Sequence, residues 1–199
     1  MRVSDDVLLL YATHDGQARR IATRIADRLV EQGIAATPQD LAAGVPAAEQ
    51  LLAAPLITVV AAVRYGRHRP AAERLLAAYT RSGSVAPLIF ISVSLTARKP
   101  NRNSIETNQY LRKSLSHHRV TPVLATAIPG RLDYPRYGWL DRQIIRLIMK
   151  LTGGPTDPRS CTEFTDWNVV DTVANRIAEH FRGCNPDMAA YSATLEDRT

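Results

Sequence analysis

The sequence has 199 residues, of which 45% are hydrophobic, and its 25 Lys and Arg exceed its 19 Asp and Glu, giving a formal net charge of +6. This length fits one domain with a core that needs no disulfide or metal. No stretch approaches the roughly 18 uninterrupted apolar residues of a membrane span, so we expect a soluble or peripheral protein. The positive charge indicates an anionic partner: a nucleic acid, an anionic membrane surface or an acidic small molecule. Cys161 and Cys184 lack CxxC or metal-ligand spacing, and we expect two reduced thiols.

Strands and helices alternate along the chain, which is typical of an α/β sheet. Apolar runs predict buried parallel strands over residues 7–11, 56–63, 87–93 and 120–128, with a weaker strand over 34–40. Helical spacing predicts helices over 17–32, 70–82 and 166–181. The pattern predicts an α/β fold with a doubly wound, parallel, five-stranded sheet and helices on both faces. We expect one domain over residues 1–182 and a flexible tail over 183–199.

Two stretches, residues 95–118 and 131–158, exceed what a minimal five-strand unit needs, and their polar content is strongly basic. Long additions to a compact scaffold tend to carry function. In the first, Arg98 and Lys99 directly follow a predicted strand, where they suit a substrate with carboxylates. A solvated charge run is the alternative interpretation.

The first predicted strand runs into the loop ATHDGQA, residues 12–18, and then into the first helix. Free backbone N–H groups at a helix N-terminus bind phosphate, and the helix dipole favours the anion. Thr13 offers a hydroxyl, and Gly16 lets the main chain approach the phosphate closely. The loop lacks both the Walker A ending and the GxGxxG fingerprint. An ordinary N-terminal turn without a ligand remains the alternative.

Several segments together resemble the bacterial menaquinone-dependent protoporphyrinogen IX dehydrogenases, which are flavodoxin-like. The segments are THDGQ (13–17), RYGRH (64–68), SVSLTARKP (92–100), TNQY (107–110), YPRY (134–137), LIMK (147–150), GGPTD (153–157) and TDW (165–167). The resemblance covers about residues 7–180 and includes both basic additions. It implies non-covalently bound FMN, with redox chemistry carried by the flavin and needing neither a catalytic side chain nor a metal.

The resemblance also implies where the cofactor and substrate bind. The phosphate would be held by Thr13, His14, Asp15, Gly16, Gln17 and Ala18. The ring would lie against Arg64, Tyr65, Gly66, Ser94, Leu95, Thr96 and Ala97. Arg98, Lys99 and Arg136 are the candidate substrate-binding residues. The family loop usually carries hydroxyls where this chain has Ala12 and Ala18. We expect His14 and His68 to face solvent.

The second addition predicts an amphipathic helix over residues 140–151, preceded by aromatic residues that include Trp139. Leu140, Ile144, Leu147, Ile148 and Leu151 share one side, and Arg142, Arg146 and Lys150 lie nearly opposite. Such a helix, over about residues 139–151, suits a membrane interface. A helix packed on the core with a solvated basic side is the alternative.

The resemblance implies oxidation of protoporphyrinogen IX to protoporphyrin IX in haem biosynthesis, with menaquinone as acceptor, on the cytoplasmic face of the membrane. Two other functions stay open: a flavodoxin-type electron carrier, and an NAD(P)H-dependent quinone or flavin reductase. Such carriers are typically acidic, which the charge of +6 argues against. Nucleic-acid binding is disfavoured because no helix-turn-helix stands out. A homo-oligomer is neither indicated nor excluded.

Overall fold

The computed structural model describes residues 6–184, apart from the side chains at positions 151 and 152. The strands are β1 (Leu8–Ala12), β2 (Gln39–Asp40), β3 (Ile57–Arg64), β4 (Arg67–His68), β5 (Leu88–Ser94), β6 (Leu124–Pro129), β7 (Arg131–Asp133) and β8 (Cys161–Glu163). The helices are α1 (Gln17–Glu31), α2 (Ala48–Ala53), α3 (Pro70–Ser82), α4 (Gln109–His118), α5 (Trp139–Thr152) and α6 (Trp167–Cys184). Short 3₁₀ turns lie at Leu95–Arg98 and Tyr134–Arg136.

The main sheet has the strand order β2-β1-β3-β5-β6, and every pair along this path is parallel. The chain therefore winds outward from β1 in both directions, as the sequence predicted, and this prediction is confirmed. β4 pairs antiparallel with the end of β3 and forms a hairpin with it. In a doubly wound sheet, ligands bind at the carboxyl edge where the winding changes direction, which here lies between β1 and β3.

Helices cover both faces of the sheet, which explains why β3 and β5 consist mostly of apolar residues and why β5 is buried along its whole length. On one face α1 and α6 pack together over a core that includes Ile25 and Ile177. Asp171 on α6 joins this pair, since Arg24 and Arg28 of α1 both donate to its carboxylate, at 2.7 and 2.8 Å. These guanidinium groups hold the pKa of the Asp171 carboxyl well below its usual range. The other face is covered by α2, α3 and α4.

Two predicted strands are shorter than their apolar runs. The segment predicted over 34–40 pairs with β1 only at Gln39–Asp40, besides one bond from the Val7 N–H to the Ala35 carbonyl. Pro38 has no N–H to donate, which limits pairing there. The strand predicted over 120–128 begins only at Leu124, after Pro122. In both cases the apolar side chains mark burial rather than strand pairing.

The boundaries of the predicted additions also change. Residues 95–118 include α4, which is the crossover between β5 and β6, so this part belongs to the scaffold. The second addition extends beyond residue 158, because β7 and β8 pair antiparallel and enclose α5 between them. The predicted tail over 183–199 begins inside α6, and residues 185–199 lie outside the described residues. Cys161 and Cys184 are exposed, and they form no disulfide within the described residues.

Candidate functional site

A cavity of about 260 Å³ opens at the carboxyl ends of β1, β3 and β5. Many of the site residues predicted from the sequence line it: Thr13, Asp15, Gln17, Arg64, Tyr65, Gly66, Ser94, Leu95, Thr96, Arg98 and Lys99. These residues come from three separate loops, and parallel strands bring such loops to one edge of the sheet.

Five predicted site residues do not line this cavity. Ala18 and Ala97 are buried, His14 is exposed as expected, and Gly16 lies in the turn that leads into α1. Arg136 is exposed beside the same loop and donates to the Asp15 carbonyl at 3.3 Å. The structure therefore brings Arg136 to the loop of residues 12–18, called the phosphate loop below, whereas Arg98 and Lys99 line the cavity.

The loop before α1 has the geometry of an anion site. Gly16 adopts a φ of 89°, which glycine tolerates best, and its N–H donates to the Thr13 hydroxyl at 3.0 Å. The first turn of α1 contains no acidic residue, so its N-terminal N–H groups keep their attraction for an anion. Gln17 is used internally, because its amide donates to Glu163 and to the Thr165 hydroxyl, the latter at 2.8 Å. Ala12 and Ala18, both buried, add no hydroxyl.

The β3–β4 hairpin carries Tyr65 and Gly66 at its tip, both with positive φ, as a tight hairpin turn requires. Behind the tip, His68 is almost completely buried, and its Nε2 lies 2.9 Å from the Ser92 hydroxyl on β5. Its ring also packs edge-on against Phe90 at 5.1 Å. Burial lowers the pKa of His68 to about 4, so the ring is neutral near pH 7. The expectation that His68 faces solvent is wrong, because the ring anchors the hairpin to the sheet.

Arg64 joins three parts of the site. Its guanidinium donates to Asp15 of the phosphate loop at 3.0 Å and to Asp141 on the first turn of α5. It also lies 5.5 Å from the centre of the Tyr137 ring. The Tyr65 hydroxyl donates to the same Asp141 carboxylate, and together with Arg64 it lowers the pKa of Asp141. Phosphate loop, hairpin and α5 are thereby held together around the cavity.

Helix α5 forms one wall of the cavity through Ile145, Ile148 and Met149. Two of its three basic residues contact the protein: Arg142 donates to the carbonyls of Tyr134 and Tyr137, and Arg146 donates to that of Thr156, whereas Lys150 is exposed. The opposite side is apolar and exposed, at Trp139, Leu140, Ile144 and Leu147. The apolar side chains that the sequence placed on one side of α5 are therefore mostly exposed, while Ile145 and Met149 pack against the protein. None of the helices within residues 6–184 combines the length and apolarity needed to cross a bilayer.

The cavity fits a flat aromatic cofactor with polar edges. Tyr65, Tyr110 and Tyr137 line it with aromatic surface. The Ser94 hydroxyl is buried in its wall and has no hydrogen-bond partner among the described residues. Buried polar groups are normally paired, so this hydroxyl is available for a hydrogen bond to a cofactor. Arg98 reaches the cavity while donating to the Leu95 carbonyl at 2.8 Å, and burial lowers its pKa.

Several residues of the site were missed from the sequence. Tyr110, Arg131, Tyr137 and Met149 line the cavity, although only the phosphate loop and the loops after the third and fourth predicted strands were expected to hold the cofactor. Tyr110, Tyr137 and Met149 lie in the segments TNQY, YPRY and LIMK, which carried the family resemblance, so those segments were the available signal.

Comparison with known proteins agrees with this geometry. A family model described as flavodoxin domain matches residues 8–159, and the site is accordingly of the flavodoxin class. The protoporphyrinogen IX dehydrogenase [quinone] of Escherichia coli K12 is 39% identical over 173 residues, which cover 86% of this chain and 93% of the relative. The protein of that name from Leishmania major is 35% identical over 88% of this chain and 75% of the relative. The chain belongs to this family of flavodoxin-domain proteins, as the sequence indicated.

Solved structures support the fold. The flavodoxin-like WrbA-like protein from Agrobacterium tumefaciens aligns over 92% of this chain and 99% of its own length, with a TM-score of 0.53 and 13% identity. Rubredoxin oxygen:oxidoreductase from Desulfovibrio gigas aligns over 92% of this chain, with a TM-score of 0.55 and 12% identity, and the chain spans 37% of that longer protein. The flavodoxin domain makes FMN the cofactor for which the cavity is built, as predicted.

Proposed function

We propose that the protein oxidises protoporphyrinogen IX to protoporphyrin IX, a step of haem biosynthesis, and passes the electrons to menaquinone. The observation that carries the proposal is the cavity itself, in which a phosphate loop, an aromatic hairpin tip and cationic side chains meet under α5. The names of the relatives support the choice of a porphyrinogen substrate and a quinone acceptor. The bound flavin supplies two-electron redox chemistry, and three such rounds account for the six electrons removed.

The residues of the chain bind and orient the reactants. Thr13 and the N-terminal N–H groups of α1 would hold the phosphate of FMN, and Arg136 would add positive charge beside them. Tyr65, Gly66 and the Ser94 hydroxyl line the cavity and would contact the isoalloxazine ring. Arg98 and Lys99 place positive charge at the mouth of the cavity, where it attracts an anionic substrate. Ile145, Ile148 and Met149 of α5 exclude water from the same space.

The exposed side of α5 would rest on an anionic membrane. Trp139, Leu140 and Leu147 expose 70%, 67% and 59% of their surface. Apolar and aromatic side chains of this kind enter the interface of a bilayer, and the net charge of +6 favours anionic lipids. Because the opposite side of α5 lines the cavity, docking there would bring a membrane-borne quinone close to the flavin.

The function is tested by porphyrin fluorescence under anaerobic conditions. FMN-loaded protein is mixed with protoporphyrinogen IX, with and without a menaquinone analogue. Fluorescence that grows only when both protein and quinone are present supports the proposal. A bound flavin without such growth contradicts it and leaves a carrier or a reductase; reduction by NADPH alone would favour the reductase.

Membrane contact is tested with anionic phospholipid vesicles. We expect Leu140→Ser and Leu147→Ser each to lower vesicle binding roughly ten-fold, because each removes an exposed apolar side chain from the interface. Val85→Ser is the matched control, since Val85 is 94% exposed on the loop between α3 and β5. Equal binding by all three variants and the parent protein contradicts the role of α5.

A further inference from the structure

A second cavity, of about 610 Å³, lies on the other side of the β3–β4 hairpin. It runs between the start of α3 and the length of α4. Gly66 and Tyr110 line both cavities, so the hairpin tip and one aromatic ring form the partition between them. The Tyr110 hydroxyl lies 3.5 Å from the hydroxyl of Thr96, which lines the first cavity, called the flavin cavity below. A ligand that spans this partition would touch both spaces.

Three cations surround the second cavity. Arg67 comes from the hairpin, Arg74 from α3 and Lys113 from α4, and all three are exposed at its rim. Their side chains form no hydrogen bond or ion pair within residues 6–184. By contrast, arginines of the flavin cavity already have hydrogen-bond partners. Arg64 donates to two carboxylates, and Arg98 donates to a backbone carbonyl. Unengaged cations around a concave site are suited to an anionic ligand.

Glu73, the acidic residue that lines this cavity, repels an anionic ligand less than a free carboxylate would, because both of its oxygens have hydrogen-bond partners. Glu73 accepts from the Ser114 hydroxyl at 2.7 Å, and its other oxygen lies 2.7 Å from Nε2 of His118. Ser114 and His68 are both nearly completely buried and form the floor. Glu73 therefore fixes the floor between α3 and α4, while the cations at the rim stay available.

We infer that the second cavity receives the carboxylates of the substrate while its macrocycle lies against the flavin. The inference rests on the proposed function, because it concerns how that substrate is held. Protoporphyrinogen IX carries two propionates on one edge and apolar groups elsewhere. Its apolar part matches the tyrosines and α5 side chains of the first cavity, and its charged edge matches Arg67, Arg74 and Lys113 across the Tyr110 partition.

Equilibrium binding tests this assignment without depending on turnover. FMN-loaded protein is titrated with protoporphyrin IX and, in the same detergent, with its dimethyl ester, and the shift of the porphyrin absorption band gives both dissociation constants. The ester keeps the macrocycle and removes both negative charges. We expect the free acid to bind at least ten-fold more tightly than the ester.

Variants locate the carboxylates. We expect Arg67→Gln, Arg74→Gln and Lys113→Gln each to weaken binding of the free acid several-fold, the triple variant to remove the preference for the acid, and none to change binding of the ester. Arg81→Gln is the matched control, since Arg81 is an exposed arginine on α3 outside the cavity. Flavin absorbance and thermal unfolding of each variant confirm that it is folded and loaded.

The outcomes separate the two proposals. If the triple variant keeps the preference for the acid, or loses acid and ester binding equally, the carboxylate site is wrong and the proposed function stands. If Lys99→Gln removes the preference instead, the carboxylates lie at the mouth of the flavin cavity, which also overturns the inference. A parent protein that binds neither porphyrin and oxidises no porphyrinogen overturns the proposed function itself.

Discussion

The Tyr65 hydroxyl at the tip of the β3–β4 hairpin donates a hydrogen bond to the Asp141 carboxylate on the first turn of α5. This contact joins the hairpin tip, which lines the cavity, to the helix whose other side is exposed and apolar. A movement of α5 would therefore displace the hairpin tip, and a conformational change at the tip would displace α5.

The first prediction concerns this contact. Tyr65→Phe keeps the ring and removes the hydroxyl, and Asp141→Asn keeps the shape and removes the charge that Arg64 also uses. We expect each change to speed proteolysis within residues 134–160 several-fold, because α5 is less firmly held. The double variant should add little to Asp141→Asn, since both changes break the same contact. Additive effects of the two changes would show that the residues act independently.

A second prediction concerns the unpaired Ser94 hydroxyl. Ser94→Ala should raise the free energy of unfolding of the cofactor-free protein by about 1 kcal/mol, because a buried polar group without a partner is removed. The same change should weaken FMN binding roughly ten-fold, because a hydrogen bond to the cofactor is lost. Urea unfolding and flavin fluorescence titration measure the two effects.

Thr58 supplies the control for Ser94. Its hydroxyl on β3 is equally buried and unpaired among the described residues, but it does not line the cavity. Thr58→Val should therefore stabilise the protein and leave FMN affinity unchanged. If both variants bind FMN like the parent protein, the Ser94 hydroxyl makes no bond to the cofactor.

A third prediction concerns the phosphate loop. Thr13→Ala should weaken FMN binding roughly ten-fold, because the loop loses its side-chain hydroxyl and has no hydroxyl at positions 12 and 18 to replace it. Thr13→Ser keeps the hydroxyl and should bind FMN nearly as well as the parent protein. Riboflavin, which lacks the phosphate, should bind all three proteins alike. A loss for riboflavin equal to that for FMN would mean that Thr13 does not act on the phosphate.

A fourth prediction concerns pH. The pKa of His68 falls from 6.5 to about 4 on folding, so below pH 6.5 the unfolded chain takes up a proton that the folded protein does not. Stability from this residue is fully present above pH 6.5 and declines as the pH falls toward 4. Between pH 7.5 and pH 5 we expect protonation of His68 in the unfolded chain to lower the free energy of unfolding by roughly 2 kcal/mol.

Urea unfolding of His68→Gln at the two pH values checks this contribution. The variant is expected to be less stable than the parent protein at pH 7.5 but to lose less stability on acidification. His14→Gln, at an exposed histidine, is the control and should keep the pH dependence of the parent protein. Identical pH dependence in His68→Gln would mean that the ring titrates normally in the folded state.

Residue periodicity predicted the sheet, the main helices and the loop before α1 because these features depend on neighbouring residues in the chain. The apolar runs overestimated strand length at Ile34 and Val120, where burial does not require pairing. His68 was misplaced because a polar residue beside a turn usually faces water, whereas here Ser92 and Phe90 of another strand enclose it. Tyr110 and Met149 reach the cavity only through the folded arrangement of α4 and α5.

The pairing of β7 with β8 has a further consequence. Asp133 and Cys161 face each other across this ribbon, so the chain leaves the scaffold and returns to it at one place. The residues between them, including α5, form an insertion whose removal would leave the strands of the central sheet in place. The sequences of the scaffold and of α5 can thus diverge separately. Replacing the insertion with a short turn would convert a covered flavin site into an open one without changing the strand order.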